Sequence, residues 1–401
     1  MSKTNLHLSK MYQTIRFFWI VFLILCLYRC YHYVGLKAYS PFMGAGALFM
    51  YAYMSLEGSK AMFRNSYKIE FFIILATLMS FMISILLFDS GIKVVLMYLL
   101  PLSFIPYFYL VQKNVGIVIV ERVLVFFAFT YLICWLYQIS QVPIIVFGEK
   151  DEGLDSGRGF FRFFIDTKEH LPFLMFFFLA LYNKTKKIIF VILTLVIYAA
   201  VILHVGRQFM FWSGLLALAY YMYTNGKNIW KWGLLIILVS VFLNWMLENF
   251  TVITDIIELS KNTSTDNSAD MDNIRFKAME YFVNNYNTNP LTILFGSGFA
   301  TEGSQIYHKI AQCENKGYYL TDVGFVGMYC NTGIVSVILY LILFYKVLFK
   351  CKVEPQYLYM KFYIAYILLL YLGSHALTSN LIFVVFAVYI LKHNSVYLKT
   401  N

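Results

Sequence analysis

The sequence predicts an all-α polytopic integral membrane protein, with about twelve transmembrane helices and one large loop outside the membrane. Hydrophobic residues make up 60% of the 401 residues, and charged residues only 13%. Soluble domains are roughly 45–50% apolar and about 25% charged. The apolar residues also fall in successive runs, many near the roughly 20 residues that cross a bilayer. We therefore expect a single integral membrane domain over residues 1–401.

The apolar runs follow one another along the chain. The first follows a polar, basic start and lacks the small-residue cleavage site of a signal peptide, so we expect an uncleaved first span. The sixth run and the last two are short, and the last pair is short enough to be broken or re-entrant. The predicted spans are 16–34, 40–56, 69–88, 92–111, 115–140, 171–183, 188–204, 209–224, 230–248, 323–349, 362–374 and 376–391.

The positions of lysine and arginine orient these spans. The chain has 32 basic and 21 acidic residues, a net charge of +11. When the N-terminus is placed in the cytoplasm, most basic residues of the short loops lie on the cytoplasmic side, as the positive-inside rule requires. We therefore expect an even number of spans and both termini in the cytoplasm. The basic residues form no patch or motif that would bind nucleic acid.

Two polar segments then lie on the outer face, at 142–170 and 249–322. Polar loops of this length are usually functional or disordered. The larger loop begins with a Ser/Thr/Asn/Asp-rich tether. Apolar residues then recur at spacings of three and four, which predicts an amphipathic helix over about 273–287 with Asp272 as its N-cap.

Four arginines near the outer ends of spans are candidates for binding an anion. Arg207 lies in a very tight hairpin, HVGRQ, and its guanidinium can bind phosphate oxygens in a bidentate manner. Arg158 and Arg162 are four residues apart in GRGFFRFF and would share a face of a helix. Arg275 opens the predicted amphipathic helix. The alternatives are a snorkelling interfacial arginine for Arg207, a basic amphipathic surface segment for the pair, and a surface charge for Arg275.

Two residues are candidates for a general base. His308 is in the large outer loop, and a histidine can exchange protons near neutral pH. Asp322 immediately precedes the tenth span, where it could equally be a helix N-cap. No GxxxxGK[ST] or GxGxxG nucleotide loop is present. The GSGF sequence at 296–299 is more simply a turn.

The remaining polar and small residues within spans have structural explanations beside functional ones. Glu121 and Arg122 are intramembrane charges, which are functional candidates by default, but they also lie near the cytoplasmic end of their span. Gly324, Gly327 and Gly333 permit close helix packing. The six cysteines show no zinc-site spacing. Cys313 and Cys330 could form a disulfide if both face an oxidising compartment.

The order of these features resembles that of bacterial O-antigen and capsular polysaccharide polymerases of the Wzy type, which are related to the O-antigen ligases. The features are GRQ at 206–208 and the long outer loop with Arg275. They continue with Asn289-Pro290, FGSGF at 295–299, Tyr319 and DVGFVGMYCNTGI at 322–334. The resemblance covers about residues 150–345.

The resemblance implies a metal-independent glycosyltransferase without a cofactor, in the bacterial inner membrane. Donor and acceptor would both be polyprenyl-diphosphate-linked oligosaccharides, and a chain-length regulator and a flippase would be further partners. Arg207 and Arg275 match the family's outer arginines that hold the pyrophosphate, and Arg158 matches an arginine of the preceding loop. The ligases usually have a His-Asn pair in the long loop, whereas Lys309 follows His308 here. This departure favours a polymerase and leaves the base open between His308 and Asp322.

Two alternatives to a polymerase remain. One is an O-antigen ligase. The other is a non-catalytic flippase for lipid-linked oligosaccharides, which would show two matching halves and charges around a central cavity. No matching halves are evident, and the large outer loop makes the chain asymmetric.

Overall fold

The computed structural model describes residues 3–152, 162–204, 206–226 and 268–400. Helices dominate these ranges, as predicted. The first half contains α1 (Lys3–Leu27), α2 (Ser40–Met62), α3 (Lys68–Phe88), α4 (Lys93–Met97), α5 (Phe104–Gln112), α6 (Ile117–Gln141), α7 (His170–Thr185), α8 (Ile189–Leu203) and α9 (Arg207–Asn225). The second half contains α10 (Ser268–Tyr281), α11 (Pro290–Phe295), α12 (Gln305–Glu314), α13 (Gly324–Tyr345), α14 (Leu358–Tyr371), α15 (Ala376–Ser379) and α16 (Leu381–Thr400).

Within the described ranges, three helical segments are long and apolar enough to cross a membrane: Asn65–Phe88, Ile117–Gln141 and Gly324–Lys350. Four shorter apolar helices accompany them, at Tyr12–Leu27, Leu100–Gln112, Ile189–Leu203 and Leu381–Ser395. These helices support a membrane protein. The figure of about twelve spans stays a prediction, and the predicted span at 230–248 lies outside the described residues.

The predicted fourth span, 92–111, is a broken element. It contains α4, the 3₁₀ turn Leu100–Leu102 and α5. Pro101 lies in the 3₁₀ turn, where its missing N–H and fixed φ oppose a continuous helix. The break is satisfied internally, since the hydroxyl of Ser103 donates to the carbonyl of Leu100 at 2.5 Å. Backbone breaks within a bilayer are tolerated only against protein or a water-filled cavity.

Two of the predicted local structures differ from those observed. Arg158 and Arg162 would share a face only if GRGFFRFF were helical, but its last residues, Arg162–Phe164, form strand β2, antiparallel to β1 (Glu149–Glu152). Aromatic residues favour strands, and β1 supplies the partner. The amphipathic helix begins at Ser268 and continues past Tyr281 as a π-helical turn, Phe282–Tyr286. Asp272 is therefore inside α10 and is not its N-cap, because the preceding turn is itself helical.

The centre of the bundle is α16. Its residues 381–391 are almost completely buried, and they pack against α5, α6 and α14. A smaller cluster holds together the segments from α10 to the start of α13, with Ala278, Phe282, Tyr286, Cys313, Val323 and Cys330 as its buried members.

The bundle has two polar ends. At one end Lys113 pairs with Glu57, Lys392 pairs with Glu70, and Arg16 donates to the carbonyl of Lys113 at 3.0 Å. At the other end of α3, the hydroxyl of Ser84 donates to the carbonyl of Phe299 at 2.9 Å. Glu70 and Ser84 are separated by 14 helical residues, which corresponds to about 21 Å. The second end, marked by Phe299, contains the candidate site.

Candidate functional site

A cavity of about 380 Å³ lies at the Phe299 end of the bundle. Its walls come from the C-terminal end of α1, the broken fourth element, the start of α13, and the connection between α14 and α15. One part of the lining is apolar, with Cys26, Leu27, Met97, Leu100 and Met328. The other part is polar, with Arg29, His32, Asp166, His375, Thr378 and Ser379. The cavity is therefore amphipathic.

Arg29 and His32 reach the cavity from a strained turn. The four residues from Arg29 to His32 have φ values of 46°, 50°, 58° and 53°, all in the left-handed region. Each such non-glycine residue costs about 1–3 kcal/mol. Tyr31 fixes the turn, because its buried hydroxyl donates to the carbonyl of Phe127 at 3.0 Å. Its own carbonyl accepts from the backbone N–H of Gly148 at 3.2 Å.

His32 and Asp166 form a pair within the cavity. Nε2 of His32 lies 3.0 Å from Oδ2 of Asp166, and both side chains are partly exposed. A carboxylate that holds one imidazole nitrogen orients the ring and fixes its tautomer, leaving the other nitrogen to exchange a proton. The next residue, Thr167, is also left-handed, with φ 73°. The backbone is thus strained at His32 and at the residue that follows Asp166.

The GSGF segment is a clamp between α3 and α13. The backbone N–H of Ser297 donates to the carbonyl of Cys330 at 2.9 Å, and that of Gly298 to the carbonyl of Asn331 at 3.0 Å. A Cβ at Gly296 would lie 2.2 Å from the carbonyl oxygen of Asn331, so only glycine permits this approach. The expected turn at 296–299 is therefore a packing device that fixes one wall of the cavity.

The clamp also presents an aromatic surface. Phe299 stacks on Tyr98 with ring centroids 4.9 Å apart and an interplanar angle of 22°, and its ring lies 5.4 Å from that of Phe81. Phe299 and Tyr98 both line the cavity.

Arg207, the strongest arginine candidate, is the first residue of α9. Its neighbour Gln208 lies against Gly373, where a Cβ would be 2.9 Å from Nε2 of Gln208. Gly373 is two residues from His375 of the cavity, so the backbone at Arg207 is close to the site. The side chains of Arg207 and Arg162 lie outside the described residues, as does Arg158 entirely.

The other candidates are outside the cavity lining. Arg275 is exposed on α10 and His308 is exposed on α12. Asp322 is half-buried and ends a 3₁₀ turn, with its neighbours Thr321 and Gly324 lining the cavity. The N-cap of α13 is Val323, which makes no side-chain hydrogen bond there. The N-cap interpretation of Asp322 is therefore wrong, because the helix begins one residue later than that interpretation requires.

Burial shifts the pKa values of two groups in α12. Burial lowers the pKa of the Lys309 ammonium. This ammonium donates to the carbonyl of Tyr286 and lies 4.5 Å from the centroid of that ring. Burial raises the pKa of the Cys313 thiol from its usual 9.0. Cys313 and Cys330 are both buried free thiols, so the disulfide considered from the sequence is not formed.

Sequence reasoning missed Arg29, His32 and Asp166 as site residues. The available signal was weak: an arginine and a histidine three residues apart just after the first apolar run, and an aspartate near the end of the first outer loop. Nothing in their spacing joins positions that are more than 130 residues apart.

Comparison with protein-family models, with curated proteins and with solved structures found no match for this chain.

Proposed function

We propose that this protein is a polysaccharide polymerase of the bacterial inner membrane, with about twelve spans and both termini in the cytoplasm. It transfers a glycan from its polyprenyl-diphosphate carrier onto the next lipid-linked repeat unit at the outer face. The observation that carries the proposal is the amphipathic cavity, which combines Arg29 and the His32–Asp166 pair with an apolar wall. A lipid-linked diphosphate has the same division between charged and apolar parts.

The cavity groups match the needs of an inverting displacement. The acceptor hydroxyl oxygen attacks the anomeric carbon of the donor, and the bond from that carbon to the diphosphate oxygen breaks. His32, oriented by Asp166, takes the proton of the hydroxyl, a contribution of about 10²–10⁴-fold in rate. Arg29 stabilises the charge on the departing diphosphate. The diphosphate is already a good leaving group, so positioning and charge neutralisation are the main tasks.

The orientation also agrees with the positions of the polar ends. The end with Glu57, Glu70, Lys113 and Lys392 is the one that the positive-inside rule assigns to the cytoplasm. The cavity is at the other end of α3, where lipid-linked repeat units would be joined outside the cytoplasm.

The test uses cells whose only copy of the protein carries Arg29→Met, His32→Gln or Asp166→Asn. We expect each variant, at normal protein level, to reduce the surface polysaccharide ladder on a gel to a single repeat. Arg64→Met and His308→Gln are the matched controls, since both residues are exposed and outside the cavity. We expect both to retain the ladder.

Three outcomes would contradict the proposal in different ways. An unchanged ladder in all three cavity variants would remove the cavity from the reaction. Loss of single repeats as well would indicate a flippase or a ligase. Loss of the ladder in His308→Gln, with the His32 variant active, would return the role of base to His308.

A further inference from the structure

A second polar region lies inside the bundle, beyond the cavity. Glu169 is buried, and its carboxylate accepts a hydrogen bond from Nδ2 of Asn380 at 2.6 Å. Asn380 follows Thr378 and Ser379, which line the cavity. The carboxylate of Glu169 also lies within electrostatic range of the phenols of Tyr363 and Tyr366 on α14. An acidic group therefore lies directly behind the cavity, facing tyrosines of the core.

The tyrosines of α14 continue from there to the opposite end of the bundle. Tyr359, Tyr363 and Tyr366 have relative exposures of 0–1%, and their spacings of four and three place them on one face of the helix. From Tyr359 to Tyr366 the helix rises about 10 Å. The hydroxyl of Tyr359 donates to Oε1 of Glu121 at 2.7 Å.

Glu121 lies beside a groove at this opposite end of the bundle. With Arg122 and apolar residues of α6 and α7 it lines a groove of about 300 Å³. The bundle thus contains a column with a carboxylate at each end, Glu169 beside the cavity and Glu121 beside the groove, and buried tyrosines between them.

Hydrogen-bond partners are missing along this column. Among the described residues, several fully buried polar atoms near Glu169 lack a partner: the hydroxyls of Tyr28, Tyr363, Tyr366 and Thr167, both ring nitrogens of His170, and Oδ1 of Asn380. Tyr28 belongs to this cluster, because the centroid of its ring lies 5.7 Å from the centroid of the His170 ring. Buried polar groups are nearly always hydrogen-bonded, and a cluster of unpartnered ones is the usual place for buried water.

We propose that the column from Glu169 to Glu121 holds water and carries protons across the bundle. A proton binds one carboxylate and another leaves from the opposite one. Between them, each water or phenol oxygen gains one O–H bond and loses one. No electron moves and no co-reactant is consumed. This activity goes beyond glycan transfer and does not depend on it.

The experiment places the full-length protein in sealed phospholipid vesicles that contain a pH-sensitive dye, with valinomycin and potassium to hold the membrane potential at zero. After the outside is acidified, we expect the vesicle interior to acidify faster than in protein-free vesicles. Glu121→Gln and Tyr363→Phe should lose this difference. Tyr51→Phe is the matched control, a buried tyrosine on α2 outside the column, and should retain it.

The proposal is overturned if wild-type vesicles acidify at the protein-free rate, or if Tyr363→Phe acidifies as fast as wild type. Thermal unfolding gives a second measurement. If water bonds to the hydroxyl of Tyr363, removing this hydroxyl in Tyr363→Phe lowers Tm. A rise in Tm would show that the column contains no water. The vesicle assay contains no glycan, so its failure would leave the proposed polymerase untouched. Loss of the ladder in the cavity variants would equally leave the column untouched.

Discussion

Cys313 of α12 couples the stability of the segments around it to pH. Burial raises the pKa of its thiol above 9.0 in the folded protein. In the unfolded chain the thiol ionises first, so its contribution to stability is fully present below about pH 9 and is lost as pH rises through the raised value. We expect Cys313→Ala to lose less stability than wild type as the pH is raised above the usual thiol pKa of 9.0, measured by thermal unfolding in detergent.

Cys351→Ala is the control for this experiment, because Cys351 is less buried and lies outside the cluster that contains Cys313. It should follow the wild-type alkaline profile. An identical profile for Cys313→Ala would mean that the thiol is not desolvated in the folded state.

The residues of the site were harder to predict from the sequence than the helices or the class of the protein. The sequence favoured arginines at the outer ends of spans, and Arg207 does lie close to the cavity by its backbone. Arg29, His32 and Asp166 could not be joined from the sequence, because their proximity depends on a left-handed turn and on a loop 134 residues away. Neither feature has a periodicity that a reader of the chain can detect.

Among the elements, the clamp at 296–299 makes a sharp prediction. Gly296 has a φ of 82°, and a Cβ there would meet the carbonyl oxygen of Asn331 at 2.2 Å. Gly296→Ala should therefore destabilise the protein by more than the about 1–3 kcal/mol of a strained backbone alone. The measurement is the midpoint of denaturant unfolding, together with the polysaccharide ladder.

Gly303→Ala measures the free-energy cost of the strained backbone by itself. Gly303 has the same φ of 82° but no atom within 4 Å of a built Cβ. We expect it to show only the backbone cost and to retain the ladder. Equal losses in the two variants would show that the clamp contributes no packing.

Elements were predicted well where hydrophobic runs were continuous. The runs at 69–88 and 115–140 correspond to α3 and α6, since a long apolar run has few alternatives to a helix in lipid. The run at 92–111 was predicted as a span without its break at Pro101, because hydropathy averages over that break. Strand β2 was missed because its partner β1 is separated from it in sequence.

The whole molecule has two distinct faces, and this can be tested by labelling. In a background without native cysteines, Lys60→Cys and Glu302→Cys place thiols at exposed positions of the two ends. In intact cells with a permeable outer membrane, we expect a membrane-impermeant maleimide to label Glu302→Cys. Lys60→Cys should be labelled only after lysis. Labelling of both or of only Lys60→Cys in intact cells would contradict the predicted orientation.

The overall class of the molecule was accessible from composition alone, since 60% hydrophobic residues leave few choices. The number of spans was not, because several apolar runs form short or broken helices whose place depends on packing against neighbours. The same holds for α16, whose burial on all sides follows from its central position in the bundle.

The walls of the cavity come from positions between Cys26 and Ser379, which has a consequence for biosynthesis. During translation, the strained turn at Arg29 is synthesised first. Asp166, the clamp and the connection after α14 follow in that order. Chains fold progressively as they leave the ribosome. An interrupted chain ending anywhere before Ser379 would lack a wall. A half-made chain would therefore lack the complete cavity on which the proposed glycan transfer depends.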